Sequence, residues 1–168
     1  MAERFKAGFD GGSRGNPGPA AWGVVLMDAS GRAVEGFAGA IGRATNNVAE
    51  YAGLLEALAL AVARGASDVE LLTDSELVVK QVRGEYKVRH PDLIPLHAKA
   101  LRMIRTFSRF RIAHVPREQN KVADKLVNRA LNLIESGTDG GAPKLHEFFE
   151  ESATAADGGG QRPDPSRA

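Results

Sequence analysis

The chain has 168 residues, of which 43% are hydrophobic, and a formal net charge of +1, which suits one domain with a substantial core. It contains no cysteine, which excludes disulfides, thiolate zinc sites and cysteine nucleophiles and is typical of a reducing compartment. The N-terminus has no apolar leader and no apolar run is long enough to span a bilayer, so we expect a cytoplasmic protein that does not contact membranes.

The predicted elements follow one another in the order βββαβααβα. The first three strands are joined too tightly for helical crossovers and should pair antiparallel, whereas the fourth follows a helix and should run parallel to the first. The order predicts an α/β fold in which a five-stranded mixed sheet carries helices on both faces. In chain order, the strands are predicted at 5–10, 22–27, 32–41, 69–73 and 109–115, and the helices at 46–64, 75–82, 93–107 and 121–135.

The composition changes after residue 136. GTDGGAP and DGGGQRPDPSRA are too rich in Gly, Pro and Asp to order themselves, so 1–136 is predicted to be the folded domain and 137–168 a flexible, mostly disordered tail. Within the tail, PKLHEFFEE favours a short helix that packs back on the domain. An alternative is a sliding-clamp-binding peptide, whose apolar part Leu145, Phe148 and Phe149 resemble, although its anchoring Gln is missing.

One carboxylate lies where the core is expected. In TNNVAEYAGLLEALALA, Glu50 shares a helical stripe with Leu54 and Leu58. A buried charge costs several kcal/mol unless it is paired. The positions one turn away carry no cation, since they are Asn46, Asn47, Gly53 and Leu54. The partner must come from another element, and a metal ion is one candidate.

Three more acids stand at element ends. Asp10 ends the first strand and Asp74 the fourth, where a turn residue and a helix N-cap are the ordinary alternatives. Asp124 lies in the first turn of the last helix, where the helix dipole favours an anion. Because open α/β sheets bind ligands at the carboxyl ends of their strands, these acids could meet Glu50 there. An all-oxygen site favours Mg²⁺ or Mn²⁺ over zinc or copper.

Four segments together resemble type 1 ribonuclease H: FDGGSRGNPGPAAWGVVL, TNNVAEYAGLLEALALA, LLTDSE and HVPREQNKVADKL. The resemblance covers about 5–135 and implies a ribonuclease H-like fold, a monomer, and an RNA–DNA hybrid whose RNA strand is cut. It also implies two Mg²⁺ ions, with Mn²⁺ as a possible substitute, and products with 5′-phosphate and 3′-hydroxyl ends. The four metal ligands it implies are Asp10, Glu50, Asp74 and Asp124.

The resemblance also implies residues that grip the hybrid. RNA is distinguished from DNA by 2′-hydroxyls in a shallow minor groove. Backbone groups of Gly11, Gly12 and Ser13 would contact these hydroxyls. The minor groove and a DNA phosphate would be held by Asn16, Arg43, Thr45, Asn46 and Asn47. Ordinary alternatives remain open, because Asn16 stands in a Gly-Pro turn and Thr45 or Asn46 could cap a helix.

The chain departs from the family in two places. A mobile His precedes the last Asp in many members, but here the loop is shortened to PREQN and His114 falls within a strand, where a packing role is expected. Glu118 occupies that loop and is a candidate for metal binding or product release. The segment 84–92 is too short for the inserted basic handle of some relatives. The candidates for a weaker substitute are Lys87, Arg89, Lys99, Arg102 and Arg105.

Two rival functions remain open at the level of sequence. The first is a nuclease of the same superfold with another substrate, such as a junction resolvase. The second is a non-catalytic module that binds hybrids. The TNN and GGSRGNPG motifs argue against the first, and the presence of all four acids argues against the second.

Overall fold

The computed structural model describes residues 4–137 and 144–149. The secondary structure of these residues consists of strands, α-helices and one 3-10 helix, Arg117–Asn120. The strands are β1 Arg4–Ser13, β2 Gly18–Met27, β3 Ala33–Ala44, β4 Asp68–Thr73, β5 Arg109–His114 and β6 Lys144–Phe148. The α-helices are α1 Asn46–Ala63, α2 Glu76–Val82, α3 Ile94–Ile104 and α4 Lys121–Ser136.

The strands form one mixed sheet in the order β5-β4-β1-β2-β3-β6. β1, β2 and β3 pair antiparallel, whereas β4 runs parallel to β1 and β5 runs parallel to β4. The predicted α/β fold, the antiparallel start and the parallel fourth strand are therefore confirmed. The carboxyl ends of β1 and β4 lie at the same edge of the sheet. The predicted site residue Asp10 lies in β1, and Asp74 directly follows β4.

The prediction of five strands is wrong, because a sixth strand, β6, pairs antiparallel with β3. This strand lies within the predicted tail, so at least this part of 137–168 is ordered against the domain. The predicted short helix in PKLHEFFEE is also wrong, since Lys144–Phe148 is extended. Residues 138–143 and 150–168 lie outside the described part of the chain, and the disorder predicted for them stays a prediction.

Helices cover both faces of the sheet, as predicted. On one face, α1 packs on β1 and β2 around a large cluster that includes Phe9, Val24 and Leu58. On the other face, α4 packs on β2 and β3 around a smaller cluster that includes Val25 and Leu126. The neighbours Val24 and Val25 belong to opposite clusters because successive side chains of a strand point to opposite faces.

The ends of α1 follow the predicted signals. Thr45 is the N-cap, and its hydroxyl oxygen accepts a hydrogen bond from the Val48 amide at 3.2 Å. The helix ends at Ala63, and Gly65 beyond it adopts a φ of +71°, which favours glycine. Within residues 4–137 and 144–149, we find no helix that is long and apolar enough to cross a membrane.

Candidate active site

The four predicted metal ligands line one cleft at the carboxyl ends of β1 and β4. The cleft has a volume of about 430 Å³ and is open to solvent. Asp10 comes from β1, Glu50 from the second turn of α1, Asp74 from the residue after β4, and Asp124 from the first turn of α4. Four elements that are distant in sequence thus bring their carboxylates to one place.

The approach of Glu50 depends on two glycines. A Cβ at Gly11 would lie only 2.0 Å from the Ala49 carbonyl oxygen, and a Cβ at Gly53 would lie 2.6 Å from the Asp10 carbonyl oxygen. Since real Cβ atoms do not come so close to backbone atoms, α1 can pack this tightly on β1 only where both side chains are absent. The backbone contact carries Glu50 to the end of the strand that holds Asp10.

A third glycine has the same effect on the other face. Gly23, which pairs with Asp10 across β1 and β2, lies beneath α4, and a Cβ there would be 2.7 Å from the Ala123 carbonyl oxygen. α4 can therefore approach the sheet closely one residue before Asp124. The two helices that supply carboxylates both meet the sheet beside Asp10.

Asp10 is the most strongly perturbed of the four acids. Its residue is only 9% exposed. Burial, followed by repulsion from the Asp74 carboxylate, raises its pKa from 3.8 to about 8, and the charges of Asp124 and Glu50 add to the rise. A hydrogen bond from the Gly11 backbone opposes the shift. The negative charges at this cleft are thus close enough to affect one another.

Glu50 is held in the cleft by α2. The Ser75 hydroxyl, at the N-cap of α2, donates to Glu50 Oε1 at 2.8 Å. Burial is the main cause that raises the pKa of Glu50 from 4.5 to about 7; the Ser75 hydrogen bond lowers it, and the Asp74 charge raises it further. The side chain expected on the core stripe therefore points toward Asp74 and Ser75 at the edge of the core.

Asp74 is oriented by Asn120, a residue that the sequence analysis did not single out. The Asn120 side chain is buried between β1 and α4, and its amide nitrogen donates to the Phe9 carbonyl at 2.9 Å and to Asp74 Oδ1 at 3.3 Å. Gly8 makes room for it, because a Cβ there would lie 3.1 Å from Asn120 Oδ1. Asn120 therefore joins the ends of β1 and β4 to the start of α4.

Asp124 has its own support on α4. The Asn128 amide donates to the Asp124 carbonyl at 3.1 Å and lies 3.5 Å from Asp124 Oδ2. Arg14 in turn donates to Asn128 Oδ1 at 3.3 Å and forms an ion pair with Glu135 at 2.8 Å. Arg14 also lines the cleft, so it is a second residue that the sequence analysis missed.

The donor set of this cleft fits a divalent metal ion of the hard, oxygen-binding kind. All four ligand candidates are carboxylates, and repulsion from Asp74, which adds to burial in raising the pKa values of Asp10 and Glu50, is a repulsion that a cation would relieve. In the described part of the chain, no group of three or more His, Asp or Glu side chains is yet drawn together tightly enough to chelate an ion. A metal ion held by these carboxylates stays a prediction.

Of the predicted hybrid-binding residues, Gly11, Gly12, Ser13 and Asn46 line the cleft. The Ser13 amide donates to Asn46 Oδ1 at 2.8 Å, and the Asn46 amide donates to Asn16 Oδ1 at 3.0 Å, so the β1–β2 turn is fastened to the start of α1. Thr45 has the capping role that its alternative predicted, whereas the hydrogen bond that Asn16 accepts from the start of α1 was not predicted. Arg43 and Asn47 are exposed and project from the same region.

The glycines of the predicted grip differ from each other. The space that a side chain at Gly11 would occupy is taken up by the backbone of α1, as described above. A Cβ at Gly12 would meet nothing closer than Val127 Cγ1 at 3.6 Å, which is an ordinary contact. The first strand was predicted to end at Asp10, but β1 runs on through Gly11 and Gly12 to Ser13. The missing side chain at Gly11 therefore serves helix packing, and only Gly12 leaves its side-chain space free.

In the loop before α4, the residue that lines the cleft is not the one predicted. Glu118 lies in the 3-10 helix, is exposed, and is not among the residues that line the cleft, whereas its neighbour Arg117 does line it. His114 ends β5 as predicted, but its side chain is exposed, so the packing role expected for it is wrong. The sequence PREQN shows a basic residue close to Asp124, but it does not show that Arg117 lines the cleft.

Comparison with known proteins identifies the family. The family model described as "Reverse transcriptase-like" matches residues 8–130. The "Bifunctional protein Rv2228c" of Mycobacterium tuberculosis is 43% identical over 159 residues, which are 94% of this chain and 44% of that protein. The chain thus spans less than half the length of this relative.

Solved structures agree with this assignment. The RNase H1 from the halophilic archaeon Halobacterium salinarum NRC-1 superposes with a TM-score of 0.74 at 47% identity, over 77% of this chain and 98% of that one. LC11-RNase H1, solved in complex with an RNA/DNA hybrid, has a TM-score of 0.74 at 40% identity, over 78% of this chain and 99% of that one. The sheet and its helices are those of a ribonuclease H-like α/β protein, and the chain belongs to the ribonuclease H family.

Proposed function

We propose that this protein is an endonuclease that hydrolyses the RNA strand of RNA–DNA hybrids and leaves 5′-phosphate and 3′-hydroxyl ends. The observation that carries the proposal is the single cleft lined by Asp10, Glu50, Asp74 and Asp124. Its support from comparison is the 40% identity to a ribonuclease H1 that was solved with a hybrid bound. The short segment between α2 and α3, 83–93, forms turns and is consistent with the type 1 form without a basic protrusion.

The reaction that we propose is phosphodiester hydrolysis. A water molecule forms a new bond to phosphorus, the bond from phosphorus to the 3′ oxygen breaks, and the leaving oxygen takes up a proton. Two Mg²⁺ ions, or Mn²⁺ in their place, would be held by the four carboxylates and would supply the charge that activates the water and stabilises the leaving oxygen.

The protein's own contribution is to hold the carboxylates in place. Ser75 fixes Glu50, Asn120 fixes Asp74, and Asn128 supports Asp124. Such outer contacts keep ligands in orientation and reduce the cost of assembling a site. Because Asp10 is the most buried of the four acids and all three other charges raise its pKa, its neutralisation should affect the cleft most.

Hybrid binding is proposed for the surface beside the cleft. Ser13, Asn46 and Asn16 form a connected rim, from which Arg43 and Asn47 project. With Gly11, Gly12 and Thr45 these are the proposed contacts to 2′-hydroxyls and to the DNA strand. Since such contacts address the backbone, base sequence should have little influence on cleavage.

A second basic surface is proposed to assist binding. The loop between α2 and α3 and the exposed side of α3 enclose a depression of about 820 Å³, which includes Tyr86, Lys87, Arg102 and Arg105. Cations beside an exposed aromatic ring are typical of nucleic-acid surfaces. If phosphates bind there, hybrid affinity should fall steeply with salt.

The experiment that tests the function is cleavage of an end-labelled RNA–DNA hybrid in Mg²⁺ by the wild type and by Asp10→Asn. Duplex DNA and duplex RNA of the same sequence serve as controls. We expect the wild type to cut the RNA strand of the hybrid and Asp10→Asn to lose at least about a thousandfold of the rate, because one of the four proposed metal ligands is removed. The proposal is wrong if the hybrid is left intact, or if Asp10→Asn cuts at the wild-type rate.

The remaining site candidate is Glu118. Its exposed place on the 3-10 helix is compatible with the predicted role in metal binding or product release. Arg117 competes for a role in the same loop because it already lines the cleft. A variant of each separates the two.

A further inference from the structure

The C-terminal strand β6 covers the edge of β3. Five register pairs join the two strands, from Glu35 opposite Phe148 to Gly39 opposite Lys144. β6 is therefore held by backbone hydrogen bonds along its length, and its side chains alternate between the two faces of the sheet. Odd positions of β6 consequently lie on the face of the sheet that α4 covers, and even positions lie on the opposite face.

On one face, β6 packs against α4. A Cβ at Gly36 would lie 2.9 Å from Leu126 Cδ1 and 3.1 Å from the ring of Phe149, so these two side chains meet over the bare backbone of Gly36. Leu145 joins the same cluster. Beside it, Arg129 of α4 forms an ion pair with Glu147. Two apolar side chains and one charge from this segment thus contact α4.

On the opposite face, a polar clasp holds the strand. Glu35 of β3 has a side chain only 9% exposed, and it accepts hydrogen bonds from Arg64 at 3.1 Å and from His146 of β6 at 2.6 Å. The His146 ring stacks on Phe37 with centroids 4.4 Å apart. A buried carboxylate needs such partners, so undocking of β6 would cost the Glu35 side chain one of them.

We propose that β6, with Phe149 after it, is a positioning element of the acidic cleft: it holds α4 against the sheet and thereby sets the place of Asp124. Its contacts on α4 follow Asp124 closely, since Leu126 and Arg129 are about 3 and 8 Å further along the helix axis. An α-helix transmits a displacement at one turn to the next because its turns are hydrogen-bonded. Only the role of Asp124 rests on the proposed function; the docking contacts do not.

Two adjacent phenylalanines provide a matched test in the full chain. Phe149 packs against α4, whereas Phe148 is 70% exposed on the other face. Phe149→Ala should loosen α4, and Phe148→Ala is the control. Amide hydrogen exchange of α4 should accelerate about tenfold in Phe149→Ala, while β1 amides remain within about twofold of the wild type.

Two further readouts separate positioning from stability. In Phe149→Ala, the Mg²⁺ concentration that gives half of the metal-dependent thermal stabilisation should rise about three- to tenfold, because one ligand is less well placed. At saturating Mg²⁺, kcat on hybrid should fall about threefold while KM is unchanged, and Phe149→Leu should restore most of it. If Phe149→Ala does not fold, Glu147→Gln, which breaks the ion pair to Arg129, replaces it.

The outcomes distinguish the two proposals. Equal effects of Phe148→Ala and Phe149→Ala, or exchange that accelerates alike in β1 and α4, would overturn the positioning role and leave a stabilising strand. If the wild type fails to cut hybrid, the proposed function falls. Hydrogen exchange still decides the docking in that case, because it requires no cleavage.

Discussion

The carboxyl groups of the cleft should make the fold less stable as the pH rises. Asp10 has a folded pKa of about 8 against 3.8 ordinarily, and Glu50 about 7 against 4.5. A carboxyl whose pKa is raised on folding binds its proton more tightly in the folded chain. Its stabilising contribution is complete below the ordinary pKa and is lost as the pH rises through the folded value. As the pH rises, Asp10 therefore lowers the free energy of unfolding between about pH 4 and pH 8, and Glu50 lowers it between about pH 4.5 and pH 7.

Asp10→Asn tests this directly, because the amide keeps the shape and removes the charge. At about 1.4 kcal/mol per pKa unit, the rise from 3.8 to about 8 sets an upper limit of roughly 6 kcal/mol. Water and small rearrangements screen charges in such a cleft, so we expect roughly 2–3 kcal/mol. The variant should be more stable than the wild type by that amount at pH 9, and the difference should shrink toward pH 4.5.

The assay is urea unfolding of both proteins in EDTA across this pH range. Addition of Mg²⁺ at pH 8 should stabilise the wild type more than the variant, because the cation relieves the repulsion that the variant lacks. Asp28→Asn is the control of opposite sign: its hydrogen bond from Ser30, followed by one from Arg32, lowers the pKa of Asp28, so its contribution is lost as the pH falls. Parallel pH profiles for wild type and Asp10→Asn would refute the reasoning.

Three other substitutions test separate features of the cleft. Gly11→Ala should destabilise the fold by at least about 3 kcal/mol, because its Cβ would overlap the Ala49 carbonyl, while Gly12→Ala should be tolerated; thermal melts compare them, and equal losses would contradict the packing argument. Ser75→Ala should raise the Mg²⁺ concentration for half-maximal hybrid cleavage about threefold, since Glu50 loses its hydrogen bond, and Ser75→Thr should restore it. Arg117→Ala should lower kcat/KM on hybrid about tenfold at saturating Mg²⁺, whereas Glu118→Gln should change it less; the reverse order would favour Glu118 as the acting residue of the loop.

The sequence was informative where a local pattern carries the signal. The long helix 46–64 was found within one residue of its observed end, since Thr45 caps it and Gly65 stops it. The convergence of the acids followed from strand order and from one residue, Glu50, that did not fit its apolar stripe. The structure brings all four into one cleft, while their assignment as metal ligands stays a prediction that the metal titrations test.

The failures came from interactions that span the chain. LHEFF has apolar spacing that fits a helix as well as a strand, and only the open edge of β3, more than 100 residues earlier, decides the outcome. Asn120 looked like an ordinary loop residue because its partners, the Phe9 carbonyl and Asp74, lie on other elements. The packing role of Gly11 was missed, since the sequence does not reveal that α1 occupies its side-chain space, while its predicted backbone contact to substrate stays a prediction.

The backbone contact of α1 at Gly11 and Gly53 has a consequence for how the protein can vary. Two main chains that touch directly leave no layer of side chains whose size could drift between them. Substitutions elsewhere in the large cluster, at Leu58 for example, can change how strongly α1 is held, but they cannot change its distance from β1 at this point. The span between Asp10 and Glu50 is therefore set by the thickness of the polypeptide itself, and it should survive extensive repacking of the interior.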